Sequence, residues 1–161
     1  MINTYASLYG SPIGPLHIFA TETYVYKASF ADHDLTGFTE NELSARAASE
    51  FRAYFDGSLR SFTFPVDQPG TGFQKSVWNQ LREIPYAETI SYARFSADRP
   101  LAIRAMAAAN GKNNVIIAVP CHRVIGSDGK LVGFAAGLWR KKWLLQHERD
   151  VAGTGQSTLK F

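Results

Sequence analysis

Apolar and aromatic positions alternate with polar ones over Thr4–Tyr9, Leu16–Ala20 and Tyr24–Phe30, and Gly10-Ser-Pro-Ile-Gly-Pro15 separates the first two. Alternate side chains of an extended chain face opposite sides, so this pattern predicts strands of a small sheet joined by a turn. From Asn41 to Phe55 the period lengthens. Leu43, Ala47, Phe51 and Phe55 recur near helical spacing, and the run ends at Asp56-Gly57, which predicts a helix. Phe62-Thr-Phe64 reads as another short strand, and Val66-Asp-Gln-Pro-Gly-Thr-Gly72 as a linker between two domains. Phe73, Val77, Leu81 and Ile84 then share one helical face, stopped by Pro85. A short helix is expected from about Tyr92, capped by Ser91. A second is expected over Pro100–Ala109, with proline in its first turn and Asn110-Gly111 as its stop. Val115–Val119 is an unbroken apolar, β-rich run that predicts a buried strand. Leu138–Arg149 predicts a final helix, with Trp139, Trp143, Leu144 and Leu145 supplying core.

The pattern places the chain in the α/β class: a small N-terminal sheet with a covering helix, packed on a mostly helical C-terminal domain. With 161 residues and 45% hydrophobic content, a real core is available. The tail from Val151 to Phe161 is expected to be loose. No apolar run approaches the length of a membrane span, and the N-terminus lacks the basic start and apolar stretch of a signal peptide. A lone cysteine fits a reducing compartment, so a soluble cytoplasmic protein without membrane contact is expected. Charge is unevenly placed. Met1–Thr89 carries ten acidic and six basic residues, whereas Ile90–Lys142 carries nine basic and two acidic. Either the second part meets a polyanion or it presents a solvated basic face. Two helices joined by a tight turn inside this basic part suggest a helix-turn-helix, although ordinary helical hairpins look the same.

Candidate chemistry lies at Pro120-Cys121-His122-Arg123-Val124, directly after the expected strand. Pro120 forces the chain to turn. A cysteine opening a short helical segment feels exposed backbone N–H groups, and His122 and Arg123 add positive potential; all of these favour the nucleophilic thiolate. A lone cysteine among apolar residues can equally be an inert core residue. Adjacent side chains diverge, so His122 needs a bridging water or a third group to reach the sulfur. Glu148, on the core side of the last helix, is a candidate for that group.

Pro-Cys-His-Arg-Val resembles the acceptor motif of the O6-alkylguanine-DNA alkyltransferases. The likeness continues, in order, through Phe73-Gln-x-x-Val77-Trp78-x-x-Leu81, Ile84-Pro85, Ile90-Ser91-Tyr92, Arg104-Ala105, Ala109-Asn110-Gly111-x-Asn113 and Gly137-Leu138-x-x-Lys141-x-x-Leu144-Leu145-x-x-Glu148. Ser11-Pro-x-Gly-Pro-Leu16 and Phe55-Asp-Gly match the family's N-terminal region more loosely. The resemblance implies a ribonuclease H-like α/β domain over residues 1–68 and a DNA-binding, alkyl-accepting domain over 69–150, leaving 151–161 as the tail. It also implies DNA repair by direct damage reversal: a monomer transfers the alkyl group of O6-alkylguanine, and also of O4-methylthymine, irreversibly to its own cysteine, once per molecule. Cys121 would be the acceptor. His122 would take the thiol proton through water, Glu148 would orient the imidazole, Tyr92 would donate towards guanine N3, and Asn113 would brace the turn before the acceptor. Double-stranded DNA would be met in the minor groove by Arg104, which fills the vacated stack, and by Ala105, with Tyr92, Arg123, Ser127 and Gln74 also on the DNA. Val132, Gly133, Phe134, Ala135 and Ala136 would form the loop over the flipped base. No cofactor and no metal are implied.

The chain departs from the family pattern in places. The stretch between Tyr92 and Arg104 is about two residues short of the family pattern, trimming the first helix or its turn. Ala87 and Ala136 stand where glycine is usual, Asn114 where proline is frequent, and Phe134 where some relatives have tyrosine. The alternatives are a non-reacting alkyltransferase-like damage-binding protein, whose acceptor cysteine would be replaced, a helix-turn-helix regulator, and a Cys-His hydrolase, which would need an oxyanion hole.

Overall fold

Tyr5–Ser11 (β1) and Gly14–Ala20 (β2) pair antiparallel across a two-residue loop, and Val25–Ser29 (β3) adds antiparallel to β2. The computed structural model describes residues 2–129, 131 and 133–153. The Ser11 hydroxyl donates to Gly14 O and accepts from Ile13 N–H, which closes the hairpin. Glu42–Asp56 (α1) covers this sheet. It starts at a capping box between Asn41 and Ser44 and ends at Gly57, whose φ of 87° lets it close the last turn. Its buried face carries Ala47, Phe51 and Tyr54, and Leu16 and Ile18 of β2 are fully buried.

Two expected strands are absent. Phe62–Phe64 is irregular, and its aromatic rings pack on Phe51 at 4.9 and 5.6 Å instead of joining the sheet. Only Val66, at the start of the expected linker, bridges to Val25. Val115–Val119 is buried as expected, but Val115 makes only an isolated bridge to Ala28. At Ile117 the chain then turns back with φ 73°, as Ala118 N–H donates to Ile116 O at 2.8 Å. This is the rare, strained form of the three-residue turn, and a β-branched residue there is an outlier. Asn114 keeps the N–H a proline would lack and donates it to the buried Gln68 side chain at 2.8 Å.

The chain divides into two compact units, Met1–Pro69 with Asn114–Ala118, and Gly70–Asn113 with Val119–Phe161. In the second, Gly72–Leu81 (α2) opens on a capping box between Thr71 and Gln74. The Trp78 indole N–H donates to Ala109 O at 2.8 Å, fastening α2 to Ile103–Gly111 (α4). Gly70 is required beside it: a Cβ there would sit 2.6 Å from the Trp78 ring. Ile90–Ser91 (β4) pairs parallel with Val124–Ile125 (β5) and leads into Tyr92–Phe95 (α3). Leu138–Ala152 (α5) closes the fold. Val151 and Ala152, expected in the tail, extend α5, and Gly153 caps it; residues 154–161 lie outside the described part. Trp139, expected in the core, is 56% exposed.

The short segment between Tyr92 and Arg104 is accommodated by a single helical turn. The Ser91 hydroxyl accepts from Arg94 N–H, the Ser96 hydroxyl donates to Tyr92 O at 2.8 Å, and Arg99 N–H returns to Ser96 O at 2.8 Å. Pro100–Ala102 then forms a 3-10 turn that runs into α4.

Candidate functional site

Cys121 follows a tight turn. Pro120, at φ −82° and ψ 64°, lets Cys121 N–H donate to Val119 O at 2.8 Å, the relaxed form of the three-residue turn. Asn113 holds that turn from the side, its amide donating to Val119 O at 2.8 Å and hydrogen-bonding the thiol. Cys121–Arg123 forms one 3-10 turn, and all three side chains are buried.

The buried polar cluster is built on one face of α5. Lys141, Leu144, Leu145 and Glu148 share the spacing of three, four and seven that lines one helical face. His122 Nε2 lies 2.7 Å from Glu148 Oε2, and both side chains are fully buried. Arg123 forks onto the same carboxylate, Nε to Oε1 at 2.9 Å and Nη2 to Oε2 at 3.1 Å, and donates from Nη1 to Ile84 O at 2.8 Å. Ala87 N–H adds a fourth donor at 3.0 Å. Burial pushes the Glu148 carboxyl up, but His122 and Arg123 override it and hold the group well below the usual carboxylate range. Burial lowers His122 despite the facing carboxylate. With Glu148 ionised and its charge met in part by Arg123, burial keeps the imidazole neutral, and it donates Nε2–H to the carboxylate. Its Nδ1, buried without a partner, is left as an acceptor.

The expectation of a resting thiolate is corrected. Burial pushes the Cys121 thiol up, against the Asn113 hydrogen bond and the charge of Lys141. Neither of the expected charges serves it, because Arg123 points into Glu148 and His122 is neutral. A three-residue turn also supplies no appreciable dipole. Arg123 is likewise corrected as a DNA-facing residue, since its guanidinium is buried and engaged within the fold. Gln74 spends its carbonyl oxygen on the α2 cap, accepting from Thr71 N–H at 3.0 Å.

In the sequence Lys141 stands among the basic residues of Ile90–Lys142 and in the final segment of the family resemblance, with no role of its own. It is fully buried, donates to Val124 O at 2.7 Å, and is lowered by burial to about 8. Its spacing from Glu148 was the available signal. Below about pH 8 its ammonium favours the thiolate, and above that the support is lost. Lys141→Met is therefore expected to slow alkylation of Cys121 by iodoacetamide about tenfold at neutral pH and to move the rise in rate to higher pH. Superimposable pH–rate profiles would dismiss the role.

Tyr92 is half-buried. Its hydroxyl accepts from the Asn110 amide at 2.8 Å, and burial first, then the nearby Cys121 sulfur, raises its pKa. Cys121, His122, Glu148, Asn113 and Tyr92 are thus assembled. Arg104 and Ala105 are exposed on α4, and Ser127 is exposed in the turn closed by Gly129 N–H on Gly126 O. Gly133 and Ala135 are exposed; Phe134 O accepts from Gly137 N–H and Ala136 O from the Arg140 guanidinium at 3.0 Å. Val132 lies outside the described residues.

The two alanines at glycine positions differ. Ala136 has no positive φ, whereas Ala87 sits at φ 65° in the turn closed by Glu88 N–H on Pro85 O. Ala87→Gly is expected to raise the melting temperature by about 2–4 °C, about 1 kcal/mol for a chain of this size. Calorimetry checks this, and an unchanged melting temperature would mean the turn carries no strain.

Known proteins resemble the chain over most of its length. Residues 72–150 match the family description "6-O-methylguanine DNA methyltransferase, DNA binding domain", and residues 4–68 its "ribonuclease-like domain". A "Methylated-DNA--protein-cysteine methyltransferase" of Methanosarcina acetivorans is 43% identical over 152 residues, 89% of this chain and 97% of the relative. One of the same name from Mycolicibacterium paratuberculosis is 42% identical, covering 86% of this chain and 88% of the relative. The crystal structure of Mycobacterium tuberculosis O6-methylguanine methyltransferase matches with a TM-score of 0.82 at 37% identity, covering 92% of this chain and 94% of that one. The Mycobacterium tuberculosis protein in complex with DNA matches at 0.83 and 38%, covering 91% and 94%. On its sequence, its fold and the arrangement around Cys121, the chain belongs to the methylated-DNA–protein-cysteine methyltransferase family.

Proposed function

We propose that this protein repairs DNA by taking the alkyl group of O6-alkylguanine onto Cys121, irreversibly and once per molecule. The observation that carries the reading is the buried His122–Glu148 pair at 2.7 Å, which leaves His122 Nδ1 unpartnered next to the acceptor cysteine in the chain. The Cys121 proton passes through a water to Nδ1, and Glu148 stabilises the imidazolium that forms. The thiolate attacks the alkyl carbon in line. A C–S bond forms as the C–O6 bond breaks, and the electron pair returns to the guanine ring. Tyr92 donates at N3 as the base becomes the leaving group. A thioether has no ready leaving group for water to displace, so the protein is consumed.

The alkylated oxygen lies inside the duplex, so the nucleotide is flipped out. α4 enters the minor groove and Arg104 occupies the vacated stack. O4-methylthymine, which carries the same alkyl–oxygen bond, is a second substrate. The protein acts as a monomer in the cytoplasm, where reducing conditions preserve the thiol. Among the described residues no helix is long and apolar enough to cross a membrane.

The test is intact mass after incubation with a duplex carrying one O6-methylguanine. The expected result is a stoichiometric gain of one methyl mass, mapped to Cys121. Tight lesion binding with no mass gain would leave a damage-recognition protein instead.

A further inference from the structure

The surface of α4 carries one feature that base flipping by Arg104 does not use. Leu101, within the 3-10 turn that launches the helix, is fully exposed, and Ile103, the first residue of the helix, is 37% exposed. Leu101, in the 3-10 turn, and Arg104, in the first turn of α4, are three residues apart, about 5 Å along the axis, and both are exposed. That separation is one to two base-pair steps of about 3.4 Å.

The turn bearing Leu101 is rigid. Pro100 fixes its own φ, and Ala102 N–H donates to Arg99 O at 2.9 Å. Arg99 is itself anchored on α2, donating to the Ser76 hydroxyl at 3.0 Å and Gln80 Oε1 at 2.8 Å and lying over the Phe73 ring at 5.3 Å. The shortened segment thus holds a large apolar side chain in solvent at a set angle, with little ordering left to lose on contact. The occupant must suit its surroundings. From Arg99 to Ser127 the sequence has no acidic residue, and beyond Arg104 the exposed positions of α4 are Ala105, Ala108 and Gly111. Small residues around one long cation permit close approach to a narrow polyanionic groove, and apolar side chains placed there act by entering between base steps.

Resting on the proposed function above, we infer that Leu101 is an apolar wedge. It enters the minor groove beside Arg104 and loosens the base step next to the target nucleotide, and Ile103 packs on the adjoining sugar edge. Such a contact releases no counterions, so it adds affinity without adding to the salt dependence of binding.

Leu101→Ala and Leu101→Met are compared with the unmodified protein on an O6-methylguanine duplex and on free O6-benzylguanine, with affinity for the lesion duplex measured across a salt series. Leu101→Ala is expected to lose about tenfold in duplex affinity and in transfer rate from the duplex. The free-base rate and the slope of log K against log salt stay unchanged, and Leu101→Met recovers most of the loss. Duplex affinity and rate within about twofold of the unmodified protein would overturn the inference, being no more than an ordinary surface substitution produces. So would an equal fall on the free base, or a DNA-free dimer dissolved by Leu101→Ala, which would seat a second copy on this face. If the unmodified protein reacts with neither substrate, alkyl transfer itself is refuted. The affinity of Leu101→Ala for the lesion duplex then still decides the wedge.

Discussion

Cys121→Ser is expected to abolish alkyl uptake while leaving the fold and lesion binding in place. The chain has no second cysteine to take over. Burial already raises the thiol, and the Asn113 hydrogen bond and Lys141 charge only partly offset this. A hydroxyl in the same place ionises far less readily than a thiol, so the same two groups cannot make it a nucleophile. The exchange is close to isosteric and the hydroxyl can keep the Asn113 contact, so stability should change little. Intact mass against the lesion duplex, beside anisotropy for binding, reads both outcomes. Persistent methyl uptake would move the acceptor elsewhere.

Glu148→Gln should be nearly as damaging, and in two ways at once. The amide keeps the shape but removes the charge that four donors converge on. Arg123 would be left as a buried guanidinium without a counter-charge, which costs about 3–5 kcal/mol. For a chain of this size that lowers the melting temperature by roughly 10 °C. Transfer should also slow by about 10²–10⁴-fold, because the imidazolium on His122 loses its stabilising carboxylate. The stability effect has a defined pH sense. The folded carboxyl is held below its unfolded value of about 4.3, so its stabilisation is present above that pH and lost as pH falls through the acid range. The difference between the two proteins should therefore shrink on acidification. A constant difference from neutral to acid pH would show that the charge is not what matters.

Much of the fold was legible locally. β1, β2, β3, α1, α2 and α5 lie where period two and period 3.6 placed them, because those periods report directly which face is buried. The failures share a cause. Ile117 has the side chain of a strand residue, and nothing in its neighbours shows that the chain reverses there with positive φ. Phe62 and Phe64 are apolar because they cover Phe51, a demand that strand pairing would meet equally well.

The same division runs through the site. The identity of the acceptor motif, the order of the supporting segments and the alignment of Glu148 with the core face of α5 belong to the sequence itself, since each depends on residue type and short-range spacing. The fates of the charged side chains belong to the tertiary structure. The resemblance puts Arg123 on the DNA, and Lys141 counts among the basic residues of Ile90–Lys142, yet both are buried. Burial of a charge depends on partners that the fold brings from afar: Ile84 O lies 39 positions from Arg123, and Ala87 N–H lies 61 from Glu148. A buried charge is stable only where such partners converge. Spacing along the chain can propose the cluster, but only the fold brings the Glu148 carboxylate and the backbone carbonyls to the cations that they neutralise.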